Sequence, residues 1–153
     1  MSEHTATVIW QRGDQRFTDN AYSRGHEWKF DGGARIAASA SPDVVPLPMS
    51  VAENVDPEEA FVASLSSCHM LFFLSIAARR GYVIDSYTDA AIGYTGKLDG
   101  KTAITKVILE PKISFVGEQM PTVEEIRKMH EKAHDLCFIA NSVRTEVITR
   151  ATV

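Results

Sequence analysis

The chain has 153 residues, 44% of them hydrophobic and 24% charged, with a formal net charge of -4. That size fits one domain, residues 1–153, around one core. The acidic balance leaves no basic stripe to neutralise phosphates, which argues against nucleic acid. The opening Met1 to Trp10 lacks the charged-then-apolar pattern of a signal peptide. Two cysteines in such a chain are expected as thiols in a reducing cytoplasm, where a disulfide is transient and catalytic.

In chain order, residues 5–11, 21–30 and 33–41 read as three short strands, with Asp31-Gly32-Gly33 as a hairpin turn. Pro42, Pro46 and Pro48 make residues 42–55 a loop. Asp56-Pro57-Glu58-Glu59 then opens a helix: Asp56 caps, Pro57 suits the first turn, and Glu59 closes a capping box. The helix is predicted to run to about Arg80, where Gly81 stops it. Its uncharged run, Ala60 to Ala78, has the length of a membrane span. Ser64, Ser66, Ser67, His69 and Ser75 dilute it, and no second span exists, so it reads as a buried central helix shared with a second subunit rather than a membrane segment.

Residues 83–97 and 101–116 read as a long hairpin around Asp99-Gly100, with Pro111 marking a bulge or an edge. A capping box from Thr122 to Glu125 begins a second helix, on which Val123, Ile126, His130, Ala133 and Cys137 form one inward stripe. Thr145 to Val153 alternates and reads as a final strand. The order βββαββαβ, rich in antiparallel hairpins, makes the class α+β.

Two chemistries compete in these residues. His130-Glu131-Lys132-Ala133-His134 matches H-E-x-x-H, in which two histidines on one helical face bind zinc and the glutamate is a base. No third ligand is evident beyond Asp135 and Glu146, and His130 sits on the packing stripe, so a zinc hydrolase using His130 and His134 is the weaker reading. The thiols are the other chemistry. Cys68 and Cys137 each fall on the apolar stripe of a helix, as two inert buried hydrophobes or as one redox pair. Cys68 is too far from the helix N-terminus to be activated by its dipole. Burial opposes ionisation, so an active Cys68 needs a cation, most suitably an arginine. If labour is divided, Cys68 attacks and Cys137 resolves.

The run Asn54-Val55-Asp56-Pro57-Glu58-Glu59-Ala60 with Ala63-Ser64-Leu65-Ser66-Ser67-Cys68 resembles the start of the central helix in the OsmC/Ohr family (osmotically inducible protein C and organic hydroperoxide resistance protein). Ala133-His134-Asp135-Leu136-Cys137 with Ala140-Asn141-Ser142 resembles its second signature. The resemblance implies an OsmC-like fold, an intertwined homodimer around long central helices, and cofactor-free thiol reduction of organic hydroperoxides. It also implies Cys68 as peroxidatic thiol, Cys137 as resolving thiol, Glu58 as the carboxylate and Arg24 as the arginine, with Arg35 in reserve. Phe61, Leu65 and Phe72 share the helical face of Cys68 and are expected to line an apolar pocket. An external dithiol is the expected reductant. A non-catalytic stress or ligand-binding protein on the same fold is the alternative. Glu58 and Cys68 stand about 15 Å apart along one helix, so sharing a site requires Glu58 of one subunit and Cys68 of another.

Overall fold

The computed structural model describes residues 1–151. They fall into two compact units that divide between Ala60 and Phe61. In the first, β1 (Ala6–Ile9), β2 (His26–Phe30) and β3 (Arg35–Ala38) form an antiparallel sheet in the order β1-β2-β3. Gly33 turns the β2–β3 hairpin with φ +93°, a conformation that favours glycine. The strands are shorter than their apolar patterns suggested, because residues 10–25 make local contacts instead. Trp10 donates its indole N–H to the Ser23 carbonyl at 2.9 Å, and the Phe17 and Tyr22 rings stack 4.7 Å apart. The proline-rich stretch is irregular, as expected, and Val55 returns beside Ala38 in a single parallel bridge.

α1 spans Pro57–Arg79 without interruption. Its start is the expected reciprocal cap: Glu59 N–H donates to Asp56 Oδ1 at 2.8 Å, and Asp56 N–H to Glu59 Oε2 at 3.0 Å. Gly81, at φ +84°, ends it, and Tyr82 N–H reaches back to the Ala77 carbonyl at 3.0 Å. Although apolar on every side, α1 buries only the stripe Leu65, His69, Phe73 and Ala77, and Leu71 is 60% exposed. Among the described residues α1 alone is long and apolar enough to cross a membrane.

The predicted long hairpin is four strands rather than two: β4 (Val83–Asp89), β5 (Ile92–Leu98), β6 (Lys101–Leu109) and β7 (Pro111–Val116). β5 and β6 turn at Asp99-Gly100, while β4 pairs separately with β7. Both arms break at one place, where Asp89 Oδ1 accepts the Glu110 N–H at 2.7 Å and Oδ2 accepts the Ser66 hydroxyl at 2.5 Å. Pro111 cannot donate to a continued ladder. α2 (Val123–Leu136) carries the expected capping box at Thr122 and Glu125. Its inward face holds Met129, His130 and Ala133, while Val123 is exposed in the first turn. A short α3 (Phe138–Asn141) follows, then β8 (Glu146–Thr149), which pairs parallel with β6. The predicted final strand extends to residues 152 and 153, which lie outside the described residues.

The class is α+β, with antiparallel sheets and a central helix. Phe73, Ala77, Tyr82, Met129 and Ala133 form one core cluster, and Leu65, Val107 and Leu109 another.

Candidate redox site

The end of α2 brings the two thiols together. Cys137 follows its last residue as the C-cap and also caps the start of α3, accepting the Ala140 N–H on Sγ at 3.4 Å. Its thiol lies beside Cys68, and both cysteines are free. Burial first, and then the neighbouring Cys68, push the Cys137 thiol up to about 11, against the two helix N–H groups that favour its ionised form. Cys137, 1% exposed, therefore stays protonated, whereas Cys68 is half-buried. The pair is unequal, with one thiol buried and the other half-buried.

Aromatic rings flank this contact. Phe72, one turn after Cys68, meets Phe138 edge-on with ring centres 5.4 Å apart, and Phe138 is 72% exposed. Of the other residues expected in a pocket, Leu65 is fully buried against Val107 and Leu109, with Phe61 packed on the same cluster. Leu65 is thus a core side chain, because it falls on the one stripe that α1 buries. A cavity of about 460 Å³ lies at the far end of α1, lined by Leu74, Ala77, Gly81, Tyr82 and Ile84 among others, and none of the three predicted pocket residues touches it.

Glu58 and Arg24 lie in the first unit. Glu59 completes the cap, which leaves Glu58 without that task, and Glu58 Oε2 is buried with no hydrogen-bond partner. Arg24 Nη1 donates to the Tyr22 carbonyl, and Nη2 donates to the Asn20 carbonyl at 3.1 Å and to Asn20 Oδ1 at 2.9 Å. Its guanidinium lies 3.7 Å from the Tyr22 ring centre. These acceptors are neutral, so the Arg24 charge is positioned but not neutralised. Arg35 is spent on an exposed ion pair with Glu27 at 2.5 Å.

The histidine motif resolves differently from a zinc site. His130 turns into the core, where its Nδ1 lies 2.9 Å from Nε2 of His69, while His134 is exposed. Among the described residues no three His, Cys, Asp or Glu side chains gather as a metal would need. His69 escaped the sequence reading. Its only signal was a polar ring inside the uncharged run, next to Cys68.

The OsmC-like protein model matches residues 51–151. An OsmC-like protein of unknown function from Vibrio cholerae O1 biovar eltor is 61% identical, covers 99% of this chain and 100% of its own, and superposes with a TM-score of 0.98. An organic hydroperoxide resistance protein OsmC from Legionella pneumophila is 13% identical over 100% of this chain and 98% of its own, with a TM-score of 0.72. An organic hydroperoxide resistance protein from Elizabethkingia anophelis is 20% identical over 100% and 96%, with a TM-score of 0.70. The last two likenesses establish the fold alone. Comparison with curated proteins finds no match. The chain belongs to the OsmC-like protein family.

Proposed function

We propose that the protein is a cofactor-free, cysteine-based peroxidase that reduces organic hydroperoxides in a reducing compartment such as the cytoplasm. The observation that carries this reading is the placement of a half-buried Cys68 beside a buried, protonated Cys137. In the first step the Cys68 thiolate attacks the distal peroxide oxygen. The S–O bond forms as the O–O bond breaks, and the alkoxide leaves as an alcohol after taking a proton. The Cys137 thiol then condenses with the Cys68 sulfenic acid, releasing water and closing the disulfide. An external dithiol restores both thiols.

Arg24 supplies the cation that favours the Cys68 thiolate, and Glu58 orients its guanidinium. The unsatisfied Glu58 oxygen and the exposed apolar flank of α1 support a homodimer in which Glu58 of one subunit serves Cys68 of the other. Phe72 and Phe138 favour apolar peroxides. Names of structural neighbours that refer to hydroperoxide resistance agree with this chemistry. The test is a pair of substitutions. Cys68→Ser should abolish peroxide consumption, whereas Cys137→Ser should react once and then stall as sulfenic or overoxidised acid. Wild-type turnover in Cys68→Ser would overturn the assignment.

A further inference from the structure

α1 and α2 are tied by two polar contacts, and the reaction uses only one of them. The first is the thiol pair. The second is His69 to His130, 2.9 Å apart, with ring centres at 5.2 Å and planes 11° from parallel. Both rings are buried, and Phe73 stacks on His130 with a centre separation of 4.2 Å. His69 follows Cys68 directly, and His130 lies two helical turns before Cys137. Phe73 and Ala77 of α1 also cluster with Met129 and Ala133 of α2, but apolar packing is non-directional, whereas two polar contacts at different heights fix the register.

We propose that His69 and His130 are positioning residues that set the α1–α2 register at which Cys137 meets Cys68, and that closing the disulfide and protonating the histidine pair oppose each other. The proposal rests on reading Cys68 and Cys137 as a disulfide-forming pair. The tie needs one ring to donate and the other to accept. Two protonated rings would set donor against donor at 2.9 Å and place charge beside Phe73. Around the pair, Asp89 on β4 favours protonation and His134 on α2 opposes it. Tyr87, also on β4 and packed on Phe73, stays neutral because burial raises its hydroxyl. His130 Nε2 and Tyr87 Oη are both buried without a partner, so no second group competes for the pair. Both rings are held down to about 4, chiefly by burial, so the tie is intact near neutrality.

The test uses no peroxide, so it stands or falls separately from the peroxidase reading. Reduced protein is equilibrated with glutathione disulfide: two protein thiols become one disulfide while one glutathione disulfide becomes two glutathione thiols. Disulfide content is counted after acid quenching and alkylation. His130→Ala should lower the equilibrium constant by about 5- to 150-fold, the usual scale of a coupling between two sites. The double variant His69→Gln with His130→Asn, in which Gln Nε2 donates to Asn Oδ1, should restore it. An unchanged constant in His130→Ala overturns the proposal. Should that variant fail to fold, NMR titration of the two imidazoles in wild-type protein decides. The pair should protonate at lower pH in the disulfide form than in the dithiol form, as reciprocity requires. Equal midpoints in the two forms overturn the proposal.

Discussion

Glu58 and Glu59 are adjacent first-turn acids, of which only Glu59 caps the helix, and exchanging each for alanine tests whether the proposed role of Glu58 separates rate from stability. Glu59→Ala removes the acceptor of the Asp56 N–H and half of the reciprocal cap. The loss should be about 1 kcal/mol, or about 2–4 °C in Tm for a chain of this size. Glu58→Ala removes an oxygen that is buried and makes no hydrogen bond. Its stability effect should be limited to the helix-dipole contribution, about 0.3–1 kcal/mol, offset by the relief of an unsatisfied acceptor. On the proposed role of Glu58 as the carboxylate of the reactive site, its rate effect should be large, about a hundredfold in peroxide consumption. Thermal melts and steady-state peroxide assays on both variants, at matched concentration, give the two readouts. The reasoning is refuted if Glu58→Ala keeps its rate within about twofold, or if Glu59→Ala loses as much activity as Glu58→Ala.

Three further outcomes are expected. Arg24→Ala should shift alkylation of Cys68 to higher pH and slow the first chemical step near neutrality; an unchanged alkylation profile would remove Arg24 from the site. Acidification should destabilise the fold through the histidine pair. Because both folded-state pKa values lie at about 4 against 6.5 unfolded, stability is full above about pH 6.5 and falls as pH drops toward 4. At about pH 5 the loss is about 2 kcal/mol for each ring, an upper bound for a coupled pair, and urea melts in the His69→Gln/His130→Asn double variant should show a smaller acid loss than wild type. Finally, mixing refolded Glu58→Ala and Cys68→Ser subunits should restore activity, since each heterodimer then contains one complete composite site; no recovery, with subunit exchange confirmed by mass, would place both groups of a site in one chain.

What the sequence made legible was mostly local. The caps at Asp56–Glu59 and Thr122–Glu125 were readable because donor and acceptor stand three residues apart, and their geometry is fixed by the first helical turn. The Asp99-Gly100 turn was readable for the same reason. The break of the long hairpin was not, because it depends on Asp89 bridging Ser66 and Glu110, contacts 23 and 21 residues distant. The placement of Leu65 was missed by a finer margin. It shares a helical face with Cys68, but only the observed packing shows that Val107 and Leu109 close over it. His130 was correctly set on the inward stripe, yet its partner lies 61 residues away, and no periodicity reveals which polar ring a buried ring will meet. The expectation that a wholly apolar α1 is a core helix describes one of its sides; Phe61, Val62, Phe72 and Ile76 are only partly buried, and Leu71 is exposed in the single chain.

Stopped-flow oxidation of the fully reduced protein by cumene hydroperoxide, with free thiols counted before and after, tests the central claim most directly. The account predicts rapid consumption of one peroxide per chain, loss of both thiols, and a Cys68–Cys137 disulfide that a dithiol reverses. Slow oxidation no faster than that of free cysteine, or peroxide loss that leaves Cys68 unmodified, would contradict it.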